Sequence, residues 1–538
     1  MSKKHGCMKN NLVVVSVLSV LLLAATLSAD IPPIWGNLEP GPNAVGFKTV
    51  EKYDYSRTYG YKYDYFGNPI EGEMSRKIQM CIWYPAEESV DRLGMVHGEY
   101  AFPYPNENEF VDLLSALQGR EIGILHFFLN GNNAVVQDMM NLKFAAVRDA
   151  TAKEGSFPLI VYHPDIRGAY CQNAVMCEYL ASHGFVIATS HYVGTSALNP
   201  GMELDDLETG VRDREFVTAY MRDFPYVDCD RLGVLGFAFG GLTALIHQMR
   251  NTDINAVASL QGTFVSGDRV EFVSQSPFFD ATRTQVPLLQ VYAGGQESLD
   301  LSLMDSLVCS DRYSLGFSGV QPTDFTQYGV ISTLPPESPA PSPETTRMCY
   351  ETTCRYIRNF FDAYLKLDDA GLAFLNNTPT DNGIDPSLLS ATFAASEEIP
   401  PTAEQFADIV RSHGIDRAVE TCEKFNLDSP DQPVLSGPAF TNLGYQFLQR
   451  GEVSEAIVMF RMGVNAYPNS ANAWDSYGEA CMADGNNELA LQNYRKALEV
   501  LPNDSTINPQ LRDAITNNIP ATIVRLEQLI EEQSEGQQ

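Results

Sequence analysis

Short apolar runs separated by longer mixed stretches dominate the first two-thirds of the chain. They recur at 157–162 (FPLIVY), 185–189 (FVIAT), 232–235 (LGVL), 256–260 (AVASL) and 286–292 (VPLLQVY). Runs this short and this continuously apolar predict strands buried on both faces, as in a parallel sheet. An earlier stretch, 76–84 (RKIQMCIWY), alternates and predicts one more strand. The segments 172–183, 204–222 and 241–250 between them predict helices. Strand and helix in alternation predict an α/β domain, its mainly parallel sheet flanked by helices. A Pro-rich stretch at 334–343 (LPPESPAPSP) predicts an exposed loop. A helix is expected over 349–367, with Ile357, Phe360, Phe361, Tyr364 and Leu365 on one stripe. Residues 376–401, rich in Asn, Thr, Ser and Pro, have the composition of a linker.

Beyond that segment the pattern repeats. Leu443, Gly444, Ala456, Phe460 and Pro468 are matched 34 residues later by Tyr477, Gly478, Ala490, Tyr494 and Pro502. This period, with Trp474 four residues before Gly478, resembles the tetratricopeptide repeat, a helix–turn–helix unit. Two repeats leave open apolar ends. The amphipathic segments 402–425 and 509–531 are candidates to cover them. Two uses fit: a small helical bundle, or a groove that takes a protein or peptide.

Composition narrows the field. Apolar residues make up 44% of the 538 and charged residues 19%, the balance of a globular protein. With 36 Lys and Arg against 68 Asp and Glu the formal net charge is −32, which excludes a nucleic-acid binder and electrostatic docking on anionic lipid. At the N-terminus Lys3, Lys4 and Lys9 precede an uncharged apolar stretch, 12–29, that closes on Ala24, Ala25, Thr26, Ser28 and Ala29. That is the pattern of a secretory signal peptide over 1–29, and it predicts a secreted or periplasmic protein. An uncleaved membrane anchor is the competing reading. Removal of the leader leaves 33 basic against 68 acidic residues, or −35. Ten cysteines less Cys7 leave an odd nine, most of them expected as small buried hydrophobes. Cys171/Cys177 and Cys349/Cys354 lack zinc-type spacing and neighbouring His, so no metal and no cofactor are expected.

The chemistry concentrates at 230–241 (DRLGVLGFAFGG), an apolar strand running through Gly-x-Ala-x-Gly-Gly into a helix. This is the form of a nucleophile elbow, yet its central residue, Ala238, has no nucleophilic atom. Together with the strand and loop at 157–163, the Ala256–Gly262 segment (AVASLQG), Gly319–Thr326 (GVQPTDFT) and the closing segment 360–375, it resembles the α/β-hydrolase fold over residues 45–375. The nearest likeness is to the dienelactone hydrolase and platelet-activating-factor acetylhydrolase group. The resemblance implies a nucleophile at 238, an acid at 261 and a base at 322; the residues present are Ala238, Gln261 and Pro322. Ala cannot attack, Gln cannot stabilise an imidazolium as a carboxylate does, and Pro cannot carry a proton.

A pseudo-hydrolase acting as a binding or scaffold protein is therefore expected. The alternative is an ester or lipid hydrolase with displaced residues, Glu297 and His247 being the candidates. The expected pocket is lined by His163, Asp165, Phe237, Ala238, Phe239 and Pro322, and suits an acyl-type apolar molecule or filling by its neighbours. Backbone N–H groups of Asp165 and Phe239 are expected to remain able to hold an oxygen. The organisation expected is a leader over 1–29, a hydrolase-like domain over 30–395, linker and capping helices over 396–430, and repeats over 431–538.

Overall fold

The computed structural model describes residues 31–59, 68–69, 75–88, 93–101, 110–166, 168–195, 200–261, 267–295 and 299–535. The leader expected at 1–29 lies outside them. The chain divides into two compact units, Met1–Glu397 and Glu398–Gln538.

The first unit is built on a ten-stranded sheet. Its strands are β1 (Ala44–Thr58), β2 (Ser75–Ala86), β3 (Val147–Arg148), β4 (Phe157–His163), β5 (Val186–Ser190), β6 (Val227–Phe237), β7 (Ile254–Leu260), β8 (Leu288–Ala293), β9 (Arg312–Phe317) and β10 (Leu389–Ala394). They lie in the order β10-β9-β8-β7-β6-β4-β5-β2-β1-β3. From β5 to β9 every neighbouring pair is parallel. β2 joins β5 antiparallel at one side and β10 joins β9 antiparallel at the other.

The continuous apolar runs follow from this layering. Ile160 and Tyr162 of β4 enter one apolar cluster, and Leu159 and Val161 enter the other on the opposite face. Between β2 and β4 come α1 (His97–Ala101), α2 (Val111–Phe128) and α3 (Asn133–Met140), a helical insertion that the apolar pattern did not reveal. Then follow α4 (Ala174–Ser182), α5 (Leu204–Met221), α6 (Phe239–Arg250), α7 (Gly267–Ser274), α8 (Ser302–Ser306), α9 (Gln327–Ser332), α10 (Pro343–Leu365) and α11 (Asp369–Asn376). α4 and α10 pack on one face of the sheet, α5 and α6 on the other.

One expectation fails here. The segment 376–401 is not simply a linker, because β10 lies inside it and pairs with β9 from Leu389↔Phe317 to Ala394↔Arg312. An edge strand has one hydrogen-bonded neighbour and a solvated face. Exposed Ser390, Thr392, Phe393 and Ala394 and half-exposed Ala391 therefore give it the composition of a loop.

The second unit is all helix. It comprises α12 (Ala403–Phe425, interrupted at Gly414 with φ 82°), α13 (Gly437–Arg450), α14 (Val453–Ala466), α15 (Ala471–Ala483), α16 (Asn487–Val500) and α17 (Pro509–Glu535). The pairs α13/α14 and α15/α16 reproduce the sequence period. Ser436 and Ser470 cap α13 and α15 identically, each accepting a backbone N–H three residues on. A Cβ at Gly444 would lie 2.5 Å from the Phe460 ring, and one at Gly478 would lie 3.1 Å from the Tyr494 ring. The small residue is there because the aromatic of the following helix rests on it. Phe406, Val410 and Cys422 of α12 join the same core as Ile515, Ile519 and Leu526 of α17.

All nine cysteines after Cys7 are free, seven buried and Cys229 and Cys309 partly so. Among the described residues no helix is long and apolar enough to cross a membrane.

Candidate functional site

β6 ends at Phe237 and α6 begins at Phe239, so Ala238 makes the whole turn. It does so at φ 50°, ψ −120°, a conformation costly for any residue with a Cβ. Close approach forces the glycines around it. A Cβ at Gly236 would lie 2.2 Å from the Gly240 carbonyl oxygen, and one at Gly240 would lie 2.0 Å from that of His163. The elbow has kept its geometry and has no reactive atom at its tip.

The residue where the resemblance implies an acid, Gln261, is tied into the sheet. Gln261, at φ 44°, follows β7, and its backbone N–H donates to Val291 O at 2.7 Å. Its side-chain Oε1 accepts the Ala293 N–H at 2.7 Å. The amide ties the end of β7 to the end of β8 and is committed to that role. Pro322 opens a short 3-10 turn, Pro322–Phe325. Asp324 closes this turn by accepting the Gln321 N–H at 2.8 Å and the Thr346 hydroxyl at 3.1 Å. Burial raises the Asp324 carboxyl above its usual range. Phe325 beside it is buried against Phe317.

The expected pocket needs correction at His163 and Phe239, and the displaced candidate His247 with them. His163 and His247 are buried away from the surface. They form a fully buried pair under the elbow, His163 Nε2 at 3.1 Å from His247 Nδ1 and His163 Nδ1 at 3.0 Å from Thr243 Oγ1. Burial, and next the neighbouring ring, lowers the His163 pKa far below normal. Burial, then Arg250, pushes His247 down to about 3. Both rings are neutral and serve to bind β4 to α6. His247 is thereby removed as a displaced base, because its Nδ1 is committed to His163 beneath the elbow. The Phe239 ring is also turned away, packing against Tyr192 and Phe272 in the cluster on the α5/α6 side. Phe237 is 8% exposed, while Ala238, Asp165 and Pro322 are half-buried. Glu297 lies outside the described residues.

The N–H expected to hold an oxygen is occupied as well. Phe239 N–H, which an acting enzyme keeps free for the substrate oxygen, donates to Asp165 Oδ1 at 3.3 Å. Arg120 of α2 reaches across from above. It donates to Tyr192 O at 3.4 Å, and burial lowers its pKa despite the opposing charge of Asp165. Next to it His191 is 7% exposed, edge-on to the Tyr170 ring at 4.8 Å. Neither of its ring nitrogens has a partner among the described residues. Burial, then Arg120 and Arg214, pushes it down to about 3.

The helical insertion that carries Arg120 is firmly attached. Glu178 on α4 is fully buried and accepts four donors: Trp35 Nε1, Tyr100 OH, and the N–H groups of Ala145 and Ala146. Glu121 joins His97 Nε2 at 3.2 Å and the Tyr328 hydroxyl at 2.5 Å. Sequence reasoning passed over Arg120, Glu121 and His191. The available signal for His191 was its place directly after a predicted strand, where open α/β sheets put ligand-facing groups.

A mainly parallel sheet with helices on both faces, and a strained elbow at the carboxyl end of a central strand, define an α/β-hydrolase domain. The dienelactone hydrolase family model matches residues 145–307 of it. That span holds the elbow, Asp165 and Gln261, and stops short of Pro322. No match appears among curated proteins. Among solved structures, a ferulic acid esterase from Streptomyces cinnamoneus is similar at 18% identity, covering 69% of this chain and 98% of its own, with a TM-score of 0.46.

Proposed function

We propose that the chain is an exported pseudo-hydrolase. Its first unit binds or scaffolds without turnover, and its second unit, a pair of tetratricopeptide-type repeats with helices at both ends, docks a protein or peptide. The division intended is a leader over 1–29, the hydrolase-like domain over 30–395, linker and capping helices over 396–430, and repeats over 431–538. One observation carries this reading: Ala238 stands in an intact elbow while Gln261 and Pro322 stand at the acid and base positions. Members of a triad act as a unit, so the loss of Ser leaves nothing to retain the other two. Asp165 on the Phe239 N–H supports it further, since the substrate oxygen would have to displace an internal carboxylate.

The test is direct. The purified chain is mixed with p-nitrophenyl acetate and p-nitrophenyl butyrate, and separately with a fluorophosphonate probe. No turnover above buffer and no labelling are expected, and stoichiometric labelling at any residue would end the proposal.

A second reading keeps an esterase activity on non-standard residues. What favours it is the buried, unpartnered His191 near Arg120 and Asp165. An ester-hydrolysis rate that disappears in both Asp165→Asn and His191→Phe would support it over the first. A ligand-binding role for the half-buried elbow is read by thermal shift against acyl lipids, since a ligand of the native state raises the melting temperature.

A further inference from the structure

A cavity that shares no residue with the elbow runs along the outer face of α10. Its other walls are the chain at 37–39 and the turn at 383–388, and its volume is about 550 Å3, within the range of small-molecule sites. Arg355 and Arg358 project into it from α10. Arg358 pairs with Asp362 at 3.3 Å and donates to Asn359 Oδ1 at 2.8 Å, which leaves its buried Nε without a partner. Arg355 donates once, to Asn382 O at 3.0 Å, and lies 5.4 Å from the Phe374 ring centroid. Among the described residues no carboxylate pairs with it.

That is unusual in a chain with 68 acidic against 36 basic residues. The acids around the cavity are engaged or peripheral. Both Glu351 oxygens accept from Asn37, Asp385 accepts the Ser387 N–H, and Glu39 is exposed at the rim. A guanidinium with most of its donors unused, lying over an aromatic ring, matches a planar carboxylate attached to a flat apolar body.

We propose that this cavity binds a small organic carboxylate, with Arg355 as its anchor and Phe374 beside its apolar part. Benzoate serves as the probe, with benzyl alcohol as the neutral control of similar shape, in calorimetric titration of the full chain. Benzoate is expected to bind and benzyl alcohol not. Arg355→Lys, which keeps the charge and loses the fork, is expected to weaken benzoate at least tenfold, and Arg355→Gln to abolish binding. The melting curve without ligand checks that each variant is folded. If Arg355→Gln does not fold, Arg355→Lys alone decides. Hydrogen exchange with benzoate present is expected to slow at 37–39 and 383–388. Equal binding of the two probes, no binding of benzoate, wild-type affinity in folded Arg355→Lys, or protection confined to other segments would each overturn the proposal.

Discussion

Ala238 and Gln261 hold left-handed backbone angles, φ 50° and φ 44°, which cost a non-glycine residue about 1–3 kcal/mol each. An acting hydrolase gains an exposed nucleophile from the first; this chain gains nothing visible. Ala238→Gly should therefore stabilise the first unit by about 1 kcal/mol, read as a higher midpoint in urea. Ala238→Ser should leave ester hydrolysis at background. Ser alone would meet an amide already bonded to Ala293 N–H and a proline where a base is needed. A measurable rate in the single Ser variant would mean that a proton acceptor is at hand, and His191 would be the first residue to remove.

Two contacts between elements have consequences of graded size. In the helical unit the Phe460 ring is so close to Gly444 that a methyl group cannot enter without displacing it, whereas Tyr494 leaves slightly more room at Gly478. Gly444→Ala should cost about 2 kcal/mol and Gly478→Ala distinctly less, both measured by thermal unfolding of the same unit. In the first unit Glu178 is the fastening of the helical insertion. An amide in its place has one accepting oxygen, and its NH2 group faces donors. Glu178→Gln should cost about 3 kcal/mol and speed hydrogen exchange through 97–146.

The whole molecule should respond to acid in two opposite ways. In the first unit His183 is pushed down to about 4, His191 and His247 to about 3, and His163 lower than normal, all chiefly by burial. These rings are neutral when folded, and they take up protons near pH 6.5 once unfolded. Their contribution is full above 6.5 and is lost as pH falls toward the folded values, by about 1.4 kcal/mol per pH unit per ring. Glu178 and Asp324, raised by burial, act in the other direction but are two carboxyls against four imidazoles. In the second unit burial, then Glu479, raises Asp475 to about 7. An unfolded Asp titrates near 4, so this unit should grow more stable as pH falls from 7 to 4. Calorimetric scans should show the two transitions moving in opposite directions, and Asp475→Asn should remove the dependence from the second alone.

The short apolar runs by themselves determined the parallel core, because a strand covered on both faces has no polar side to show. The 34-residue period determined the paired helices, and the glycines at 236 and 240 determined the elbow, because close approach permits nothing larger. That Ala238, Gln261 and Pro322 carry no nucleophile, carboxylate or imidazole was equally legible, being a matter of which atoms the side chains possess. Only tertiary structure decided the rest. β10 has a loop's composition because one of its faces meets water. Which histidine is sealed in the core and which sits beneath α2 depends on strand order. The Asp165 carboxylate finds the Phe239 N–H across 74 residues of chain, and such a pairing exists only once the sheet has formed.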